Sequence, residues 1–364
     1  MLKERVGNAE HFERTYCFEV SHPTNMHLHL TYDPDLSTLT DALRTRAWIA
    51  SNDRVLRVEK PGEGNMNLVL RVVTAQKSLI LKQANPFVQK YPSIPAPTER
   101  VAVEAAFYGL ASQKRGVKTY LPNCIGFDPE NHLLAVEDLG DSTDYTAVYQ
   151  KNQALSATEI AAATLFLARL HRARFPNAVK AAFPPNLALR QLNHAHLFHF
   201  PFLLDNGFDL DTVQPGLQAL SLRYKTDAAL KDTLRVLGEV YLSPEDTLLH
   251  GDYYPGSWLK TGQGFKVIDP EFCFFGPAEY DLGVFFAHLI LAQTPVSALQ
   301  TVLPVYKPGR KIDLGLMAQF TGMELLRRII GLAQLPLELR LEERAALLEN
   351  AAALLKDANK GLFV

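Results

Sequence analysis

The most informative segment of the chain reads LLHGDYYPGSWLKTGQGFKVIDPE, residues 248–271. Two short apolar runs flank the glycine-containing turn TGQG, and this pattern predicts a β-hairpin. A hairpin with its turn at this position places Ser257 beside Asp269, while Asp252 lies on the loop that leads in. We therefore expect these three oxygen-bearing side chains, together with Glu271, to lie near one end of the hairpin.

Side chains of this kind suit phosphoryl transfer. The reaction needs a carboxylate that positions an attacking hydroxyl and accepts its proton, and it needs hard oxygen ligands for Mg²⁺. Asp252 is the candidate base and Asp269 the candidate metal ligand. Taken alone, His-Gly-Asp is typical of an ordinary turn, and Asp-Pro-Glu of a strand end capped by polar residues. Their pairing across one hairpin favours the functional interpretation.

A glycine-rich turn and a lysine earlier in the chain supply matching parts. The segment GEGNMN at 62–67 lies between predicted strands, and its glycines would let backbone N–H groups approach phosphate oxygens, although such turns are more often simple hairpins. Lys82 ends an apolar strand and needs an anionic partner unless it reaches solvent. Glu104 is the first candidate for that partner and Glu99 the second. In kinase-type sites a lysine held this way faces nucleotide phosphates.

The order of the predicted elements separates strands from helices. After a short helix from Ser37, strands are expected at 55–58, 67–73, 78–82 and 133–136. Helices are expected at 98–112, with Thr98 as the N-cap, and at 158–174, 227–241, 316–334 and 341–355. This order predicts a two-lobed α+β protein. An irregular extension covers 1–36, an N-terminal lobe with an antiparallel sheet covers 37–138, and a helical C-terminal lobe covers 139–364.

Composition argues against several classes of protein. The chain has 364 residues, of which 37 are basic and 39 acidic, so its net charge of -2 gives no overall attraction to nucleic acid or anionic membranes. Cys17, Cys124 and Cys273 are odd in number and far apart, which argues against a disulfide framework. The first residues lack an apolar signal region, and the longest apolar run is interrupted by His288. We therefore expect a cytoplasmic protein with neither a nucleic-acid nor a membrane partner.

Several motifs occur in the order found in one known family. They are GEGNMN at 62–67, LILKQ at 79–83, RVAVE at 100–104, VEDLG at 136–140, LARLH at 167–171, HGD at 250–252, GS at 256–257 and VIDPEF at 267–272. Together they resemble the protein-kinase-like fold of the aminoglycoside phosphotransferase group and, more closely, the methylthioribose kinases. The resemblance covers about 37–357. Two details are similar to the narrower family. Ser257 stands where the broader group usually has asparagine, and the metal motif has the form Asp-Pro-Glu.

The resemblance implies an ATP- and Mg²⁺-dependent kinase that phosphorylates a hydroxyl of a small-molecule acceptor. For the narrower family this acceptor is methylthioribose, phosphorylated on its anomeric hydroxyl to 5-methylthioribose 1-phosphate in methionine salvage. By resemblance, Asp252 is the catalytic base, and Asp269, Glu271 and Ser257 serve Mg²⁺. The implied nucleotide-binding residues are Gly62, Gly64, Asn65, Asn67, Lys82 and Glu104, with the backbone from Glu137 to Leu139 receiving the adenine.

The segment MELLRRIIGLA at 323–333 is similar to a helix of the family whose two adjacent arginines contact the sugar. Neighbouring helical residues point about 100° apart, so one of Arg327 and Arg328 can face a pocket while the other braces it or meets solvent. Without the resemblance, a solvated basic face is the favoured interpretation. With it, both arginines join Asp252 as candidate substrate ligands.

Some features depart from the family pattern. Tyr253 and Tyr254 stand where the family typically has leucine and histidine, and we expect them to reshape the acceptor pocket. The segment 175–215 matches only loosely. Its His196 and His199 could share a helical face, but no Cys or HExxH pattern supports zinc, so a polar pocket lining or plain surface is favoured. The alternatives are therefore a kinase of another sugar, an amino alcohol or an aminoglycoside, and a catalytically silent nucleotide-binding scaffold. The oligomeric state stays open, with a homodimer among the alternatives.

Overall fold

The chain divides into two compact units in the computed structural model, which describes residues 27–62, 64–307, 309 and 311–357. The first unit takes the described residues up to Ser142, together with Phe175–Leu189 and Thr261–Cys273. The second takes Thr143–Arg174, Arg190–Lys260 and the described residues from Phe274 onward. The chain first passes from the first unit to the second after Ser142, near the predicted boundary between 138 and 139. The prediction of two contiguous lobes did not include the later return of 175–189 and 261–273 to the first unit. Most of the predicted extension, 1–26, lies outside the described residues.

An antiparallel sheet forms the centre of the first unit. In chain order, the strands of the described residues are β1 (Val55–Glu59), β2 (Leu68–Thr74), β3 (Ser78–Gln83), β4 (Phe87–Val88), β5 (Tyr91–Pro95), β6 (Cys124–Asp128), β7 (Leu133–Glu137), β8 (Ser142–Asp144), β9 (Thr247–Leu249), β10 (Trp258–Thr261), β11 (Gly264–Val267) and β12 (Phe274–Gly276). The sheet order is β1-β2-β3-β7-β6. Its four predicted strands are present, and β6 is an addition. Lys82 lies on the central strand β3, opposite Val69 and Leu134.

The core of this sheet follows from the alternation of its residues. Along β2, every second residue from Leu68 to Thr74 is buried, as expected for a strand with one face in the core. That face packs with Leu79 and Leu81 of β3 and with Trp48, which follows the first helix. The predicted turn between β10 and β11 is present. There the Thr261 hydroxyl donates to the Gly264 carbonyl at 2.8 Å and accepts from the backbone N–H of Gln263 at 3.1 Å.

Helices occupy the remaining regular structure. In the described residues they are α1 (Leu36–Thr45), α2 (Arg100–Ala111), α3 (Arg115–Lys118), α4 (Ala157–Arg172), α5 (Asn177–Ala182), α6 (Leu187–His194), α7 (Leu217–Lys225), α8 (Ala228–Leu242), α9 (Ala278–Leu291), α10 (Val296–Leu299), α11 (Val302–Tyr306), α12 (Leu314–Ile330) and α13 (Leu341–Lys356). A π-helix at Ala195–His199 follows α6. Within the described residues, no helix combines the length and the apolar character needed to cross a membrane.

The start of α2 differs from the prediction. Glu99, rather than Thr98, is the N-cap residue, and its side chain makes no capping hydrogen bond. The helix start is instead anchored by Arg100, whose Nη1 donates to the carbonyl oxygens of Pro97 at 2.7 Å and Asn85 at 2.9 Å. The Thr98 prediction was therefore wrong because a buried arginine fixes this helix end.

In the second unit, α9 is buried along almost its whole length and packs on α12, which also packs on α13. The helix α4 begins with a capping box, in which Ser156 accepts from the backbone N–H of Glu159 and the Glu159 side chain accepts from that of Ser156. The short strands β9 and β12 pair antiparallel. These elements carry the loop that contains Asp252.

Candidate active site

Lys82 lies at the centre of a charged cluster in the first unit. Its Nζ donates to Glu104 Oε1 at 2.7 Å and also contacts Asp269 Oδ1. The predicted contact is therefore present. It is also buried, because the lysine is 5% exposed and Glu104 is fully buried. The second candidate, Glu99, is exposed. Although burial opposes the charge, the carboxylates of Asp269 and Glu104 hold the pKa of Lys82 well above its ordinary value.

Asp269 presents its carboxylate from an unusual backbone conformation. Its φ of 62° and ψ of 46° lie in the left-handed region, which aspartate tolerates better than most residues. A 3₁₀ turn at Pro270–Phe272 follows directly, and the Asp269 side chain is 44% exposed. Asn186 holds this turn, because its Nδ2 donates to the backbone carbonyls of Glu271 at 2.8 Å and Cys273 at 3.2 Å. Asn186 was not singled out from the sequence.

Glu271 is buried beside an arginine and an asparagine. Its Oε2 accepts from Asn67 Nδ2 at 3.0 Å and lies 3.4 Å from Arg100 Nε, which donates to Asn67 Oδ1 at 2.8 Å. Burial raises the pKa of Glu271 to about 8, although Arg100 opposes the shift. Sequence reasoning missed Arg100. The available signal was a lone arginine opening the otherwise apolar turn RVAV.

The glycine-rich turn is tied to this cluster through its last residues. A Cβ at Gly64 would lie 2.5 Å from the carbonyl oxygen of Asn67, so only glycine fits there, whereas a Cβ at Gly62 would meet open space. The carbonyl of Asn65 accepts from the backbone N–H of Lys90 at 2.9 Å. Glu63, within the predicted loop, lies outside the described residues.

The predicted adenine-binding segment follows β7. The Glu137 carboxylate accepts from the backbone N–H of Asn123 at 3.0 Å and from its Nδ2 at 2.6 Å. Asp138 pairs with Arg71 at 3.0 Å. Both carboxylates are thus engaged within the first unit, and Leu139 is half-buried. The role of this backbone in nucleotide binding stays a prediction.

The donor set at the end of β11 fits Mg²⁺. This cation is commonly held by one or two protein carboxylates, with phosphates and waters completing its shell. Asp269 and Glu271 supply two carboxylates two residues apart, one accessible and one buried. Within the part of the chain that the structure describes, no group of three or more His, Cys, Asp or Glu side chains gathers as a metal site, and this includes His196 and His199.

The loop around Asp252 is held by a buried aspartate in the second unit. Asp281 of α9 accepts from the backbone N–H groups of His250 at 2.7 Å and Gly251 at 3.0 Å. Gly251 has a φ of 85°, which glycine adopts without strain. Asp281 in turn contacts His171 Nε2 at 3.2 Å. The main chain leading into Asp252 is therefore fixed from α9.

The residues after Asp252 have different roles. The Ser257 hydroxyl is buried and donates to the backbone carbonyl of Asp252 at 2.9 Å. Tyr253 is buried and donates to the carbonyl of Ala163 at 2.9 Å, so the expectation that it reshapes an acceptor pocket was wrong. Its ring belongs to the core. Tyr254 instead lies with its ring centroid 4.8 Å from the guanidinium of Arg328.

Both arginines of α12 lie beside Asp252. Arg327 Nη2 is 3.8 Å and Arg328 Nη2 is 3.6 Å from Asp252 Oδ1. Glu324 accepts from Arg327 Nε at 2.6 Å and from Arg328 Nε at 2.8 Å. This shared carboxylate turns the two side chains the same way, and both are buried, so the alternative of a solvated basic face does not apply. The role of the two arginines as substrate ligands stays a prediction. Burial raises the pKa of Asp252, although the two guanidinium groups oppose that shift.

The structure thus gathers the predicted residues in two groups. Lys82, Glu104, Asn67, Asp269 and Glu271 come together in the first unit. Asp252, Ser257, Arg327 and Arg328 come together in the second. The first group offers a lysine cation and three carboxyl groups, and the second a carboxyl group beside two guanidinium groups. Convergence of Asp252 with Asp269 stays a prediction.

Comparison with known proteins identifies the family. Residues 57–319 match the model of the phosphotransferase enzyme family. The chain belongs to this family. It is also 30% identical over 366 residues to the methylthioribose kinase of Exiguobacterium sibiricum, an alignment that covers 88% of this chain and 93% of that enzyme. The methylthioribose kinase of Pectobacterium carotovorum is 31% identical over 258 residues, covering 67% of this phosphotransferase chain and 62% of the relative. The predicted family relationship is confirmed.

A solved structure supports the fold of this phosphotransferase. Spectinomycin phosphotransferase, in its complex with ADP and spectinomycin, superposes with a TM-score of 0.52 at 14% identity. The match covers 89% of this chain and 98% of the other. The prediction of a kinase-like α+β fold is thereby confirmed.

Proposed function

We propose that this phosphotransferase is an ATP- and Mg²⁺-dependent kinase that phosphorylates the anomeric hydroxyl of methylthioribose. The observation that carries the proposal is the half-buried Asp252 carboxylate, held beside two guanidinium groups on a loop fixed by Asp281. The similarity to a methylthioribose kinase over 88% of this chain supports the choice of acceptor.

Asp252 orients the acceptor hydroxyl and accepts its proton as a bond forms from that oxygen to the γ-phosphorus of ATP. The bond from the γ-phosphorus to the β–γ bridging oxygen breaks in the same step, and ADP leaves. Its raised pKa favours this role, because a base works best when its pKa lies near the working pH. Lys82, fixed by Glu104, would hold the phosphates of the nucleotide. Asp269 and Glu271 would bind Mg²⁺, which supplies charge neutralisation at the β- and γ-phosphate oxygens when bound.

Charge balance around Asp252 favours a neutral acceptor. Asp252 and Glu324 contribute two negative charges, and Arg327 and Arg328 contribute two positive charges. Their sum is zero, so this cluster provides no attraction for a cationic amino alcohol or aminoglycoside. The guanidinium groups are also good hydrogen-bond donors to sugar hydroxyls. These properties support a neutral sugar as the acceptor.

The experiment is ADP release from Mg²⁺-ATP with purified protein and a panel of acceptors. Methylthioribose is tested beside ribose, homoserine, choline, ethanolamine and an aminoglycoside, with Asp252→Asn as the inactive control. We expect saturable turnover with methylthioribose alone. Turnover with only another acceptor would contradict the substrate assignment, and the absence of turnover with every acceptor would contradict the proposal of a kinase.

A further inference from the structure

A buried histidine of α9 connects a tyrosine to the carboxylate that holds both arginines. His288 is fully buried, and its Nδ1 lies 2.6 Å from the hydroxyl of Tyr149. Its Nε2 lies 2.9 Å from Glu324 Oε1. Among the residues that the structure describes, neither His288 nor Tyr149 makes a hydrogen bond or ion pair with Asp252, so the proposed phosphoryl transfer does not use them directly.

The direction of each hydrogen bond in this chain follows from Glu324. Burial opposes the charged form of Glu324, but Arg327, Arg328 and His288 hold its pKa well below the usual range, so it is an ionised acceptor. His288 Nε2 must therefore donate. Burial lowers the pKa of His288 to about 4, so at neutral pH the ring carries one N–H, and Nδ1 accepts from the Tyr149 hydroxyl.

Glu324 uses both of its oxygens to orient the arginines. Oε2 accepts from Arg327 Nε, and Oε1 accepts from Arg328 Nε and His288 Nε2. Since each arginine is held through Nε, the terminal Nη2 groups of both side chains are turned toward Asp252. A carboxylate that pivoted about its Cγ–Cδ bond would move both guanidinium groups together. The bond from His288 opposes that rotation.

The same arrangement occurs a second time beside the Asp252 loop. Tyr306 Oη lies 2.7 Å from His171 Nδ1, and His171 Nε2 lies 3.2 Å from Asp281, the carboxylate that fixes the loop main chain. In both cases a buried histidine joins a tyrosine on Nδ1 to a carboxylate on Nε2. One carboxylate fixes the backbone before Asp252, and the other fixes the side chains that face it.

We propose that His288 and Tyr149 are positioning residues for the acceptor site, which act through Glu324 to fix Arg327 and Arg328 beside Asp252. The inference rests on the proposed function, because the arginines matter only if the acceptor binds at Asp252. Fixing two long side chains before binding removes the entropy cost of ordering them when the acceptor arrives. Loss of the network should therefore weaken acceptor binding more than nucleotide binding.

The kinetic test compares three variants. His288→Leu removes the donor to Glu324, His288→Gln retains an amide N–H at the place of Nε2, and Thr321→Val is the matched control. Thr321 is a buried polar residue of α12, the helix that carries Glu324 and both arginines, and among the described residues its hydroxyl donates only to the carbonyl of Met317 in that helix. We expect His288→Leu to raise the KM for the acceptor about tenfold, the effect of losing one hydrogen bond to a charged group, while the KM for ATP changes less than about twofold.

His288→Gln should recover most of the acceptor KM, and Thr321→Val should leave both KM values unchanged. A merely structural role for His288 predicts a lower unfolding midpoint with no selective change in acceptor KM, and this result would overturn the inference. Equal effects of His288→Leu and His288→Gln on the acceptor KM would also overturn it.

A spectroscopic test separates this inference from the proposed function. Nitrogen-15 spectra of the full-length protein at pH 7 report the tautomer of His288, assigned by comparison with His288→Gln. We expect a neutral ring protonated at Nε2 in wild type and in Tyr149→Phe, because Glu324 accepts from Nε2 in both, with a shifted Nδ1 resonance in Tyr149→Phe because the hydroxyl that donates to Nδ1 is lost. A ring protonated at Nδ1, or at both nitrogens, would overturn the network. If wild type phosphorylates no acceptor, the proposed function fails, and this measurement alone decides whether the network exists.

Discussion

Replacing Glu104 by glutamine tests whether the buried ion pair with Lys82 maintains the nucleotide site. The Glu104 carboxylate is fully buried on α2 and accepts from Lys82 Nζ at 2.7 Å. Glutamine keeps the size of the side chain and removes its charge. The lysine then retains one full counter-charge, Asp269, which is partly exposed to solvent.

The expected loss of unfolding free energy depends on the groups that still contact Lys82 after the substitution. Removing one partner of a buried ion pair costs about 3–5 kcal/mol. Asp269 still neutralises part of the charge, and the amide carbonyl still accepts one hydrogen bond worth about 1 kcal/mol. We therefore expect Glu104→Gln to lower the free energy of unfolding by about 2–3 kcal/mol. Because only a neutral amide then holds Lys82 from α2, we also expect weaker binding of Mg²⁺-ATP.

Urea unfolding and calorimetric titration with Mg²⁺-ATP measure the two effects. Glu99→Gln is the matched control, because Glu99 is exposed and its side chain makes no capping bond, and its unfolding free energy should change by less than about 0.5 kcal/mol. The reasoning is refuted if Glu104→Gln is as stable as Glu99→Gln. A destabilised Glu104→Gln that binds nucleotide as tightly as wild type would refute the role of the pair in positioning Lys82.

Three further changes have defined outcomes. Asp252→Asn should lower turnover by about 10²–10⁴-fold, the contribution of a general base, while calorimetry finds Mg²⁺-ATP affinity within about twofold of wild type. Ser156→Ala removes the cap of α4 and should lower the urea-unfolding free energy by about 1 kcal/mol. Burial lowers the pKa of His288 from 6.5 to about 4, so the unfolded chain takes up its proton first as the pH falls. Wild-type stability should thus decline between these pH values, by up to about 3 kcal/mol, and urea unfolding of His288→Gln should show a flatter profile.

The central strands and the charged pair could be predicted because their signals are local. Residues of β2 alternate between core and surface, so its period of two is visible in the sequence. Lys82 ends an apolar run, and a lysine there requires a carboxylate within reach. Glu104 lies on the next helix, and the structure places it against Lys82. For β2, neighbouring residues contained enough information. For Lys82 they indicated the need for a carboxylate, and the structure decides between Glu104 and Glu99.

The start of α2 could not be predicted because its determinants are distant in sequence. Arg100 anchors the helix through the carbonyls of Asn85 and Met66 and through Asn67. Thr98 has the residue type of an N-cap, and only tertiary contacts decide that it does not serve as one. The return of 175–189 to the first unit has a similar origin, since Asn186 bonds the turn that follows Asp269.

The arginine cluster could be predicted from the sequence only in part. Glu324 precedes Arg327 and Arg328 by three and four residues, and this spacing on one helix is the standard signal for a carboxylate that contacts both. The sequence therefore contained the reason why the two arginines turn the same way. His288 was visible only as a polar residue that interrupts an apolar run, which implies a buried partner without naming it. Because its partners Tyr149 and Glu324 lie 139 and 36 residues away, only the folded chain identifies which tyrosine and which carboxylate it joins.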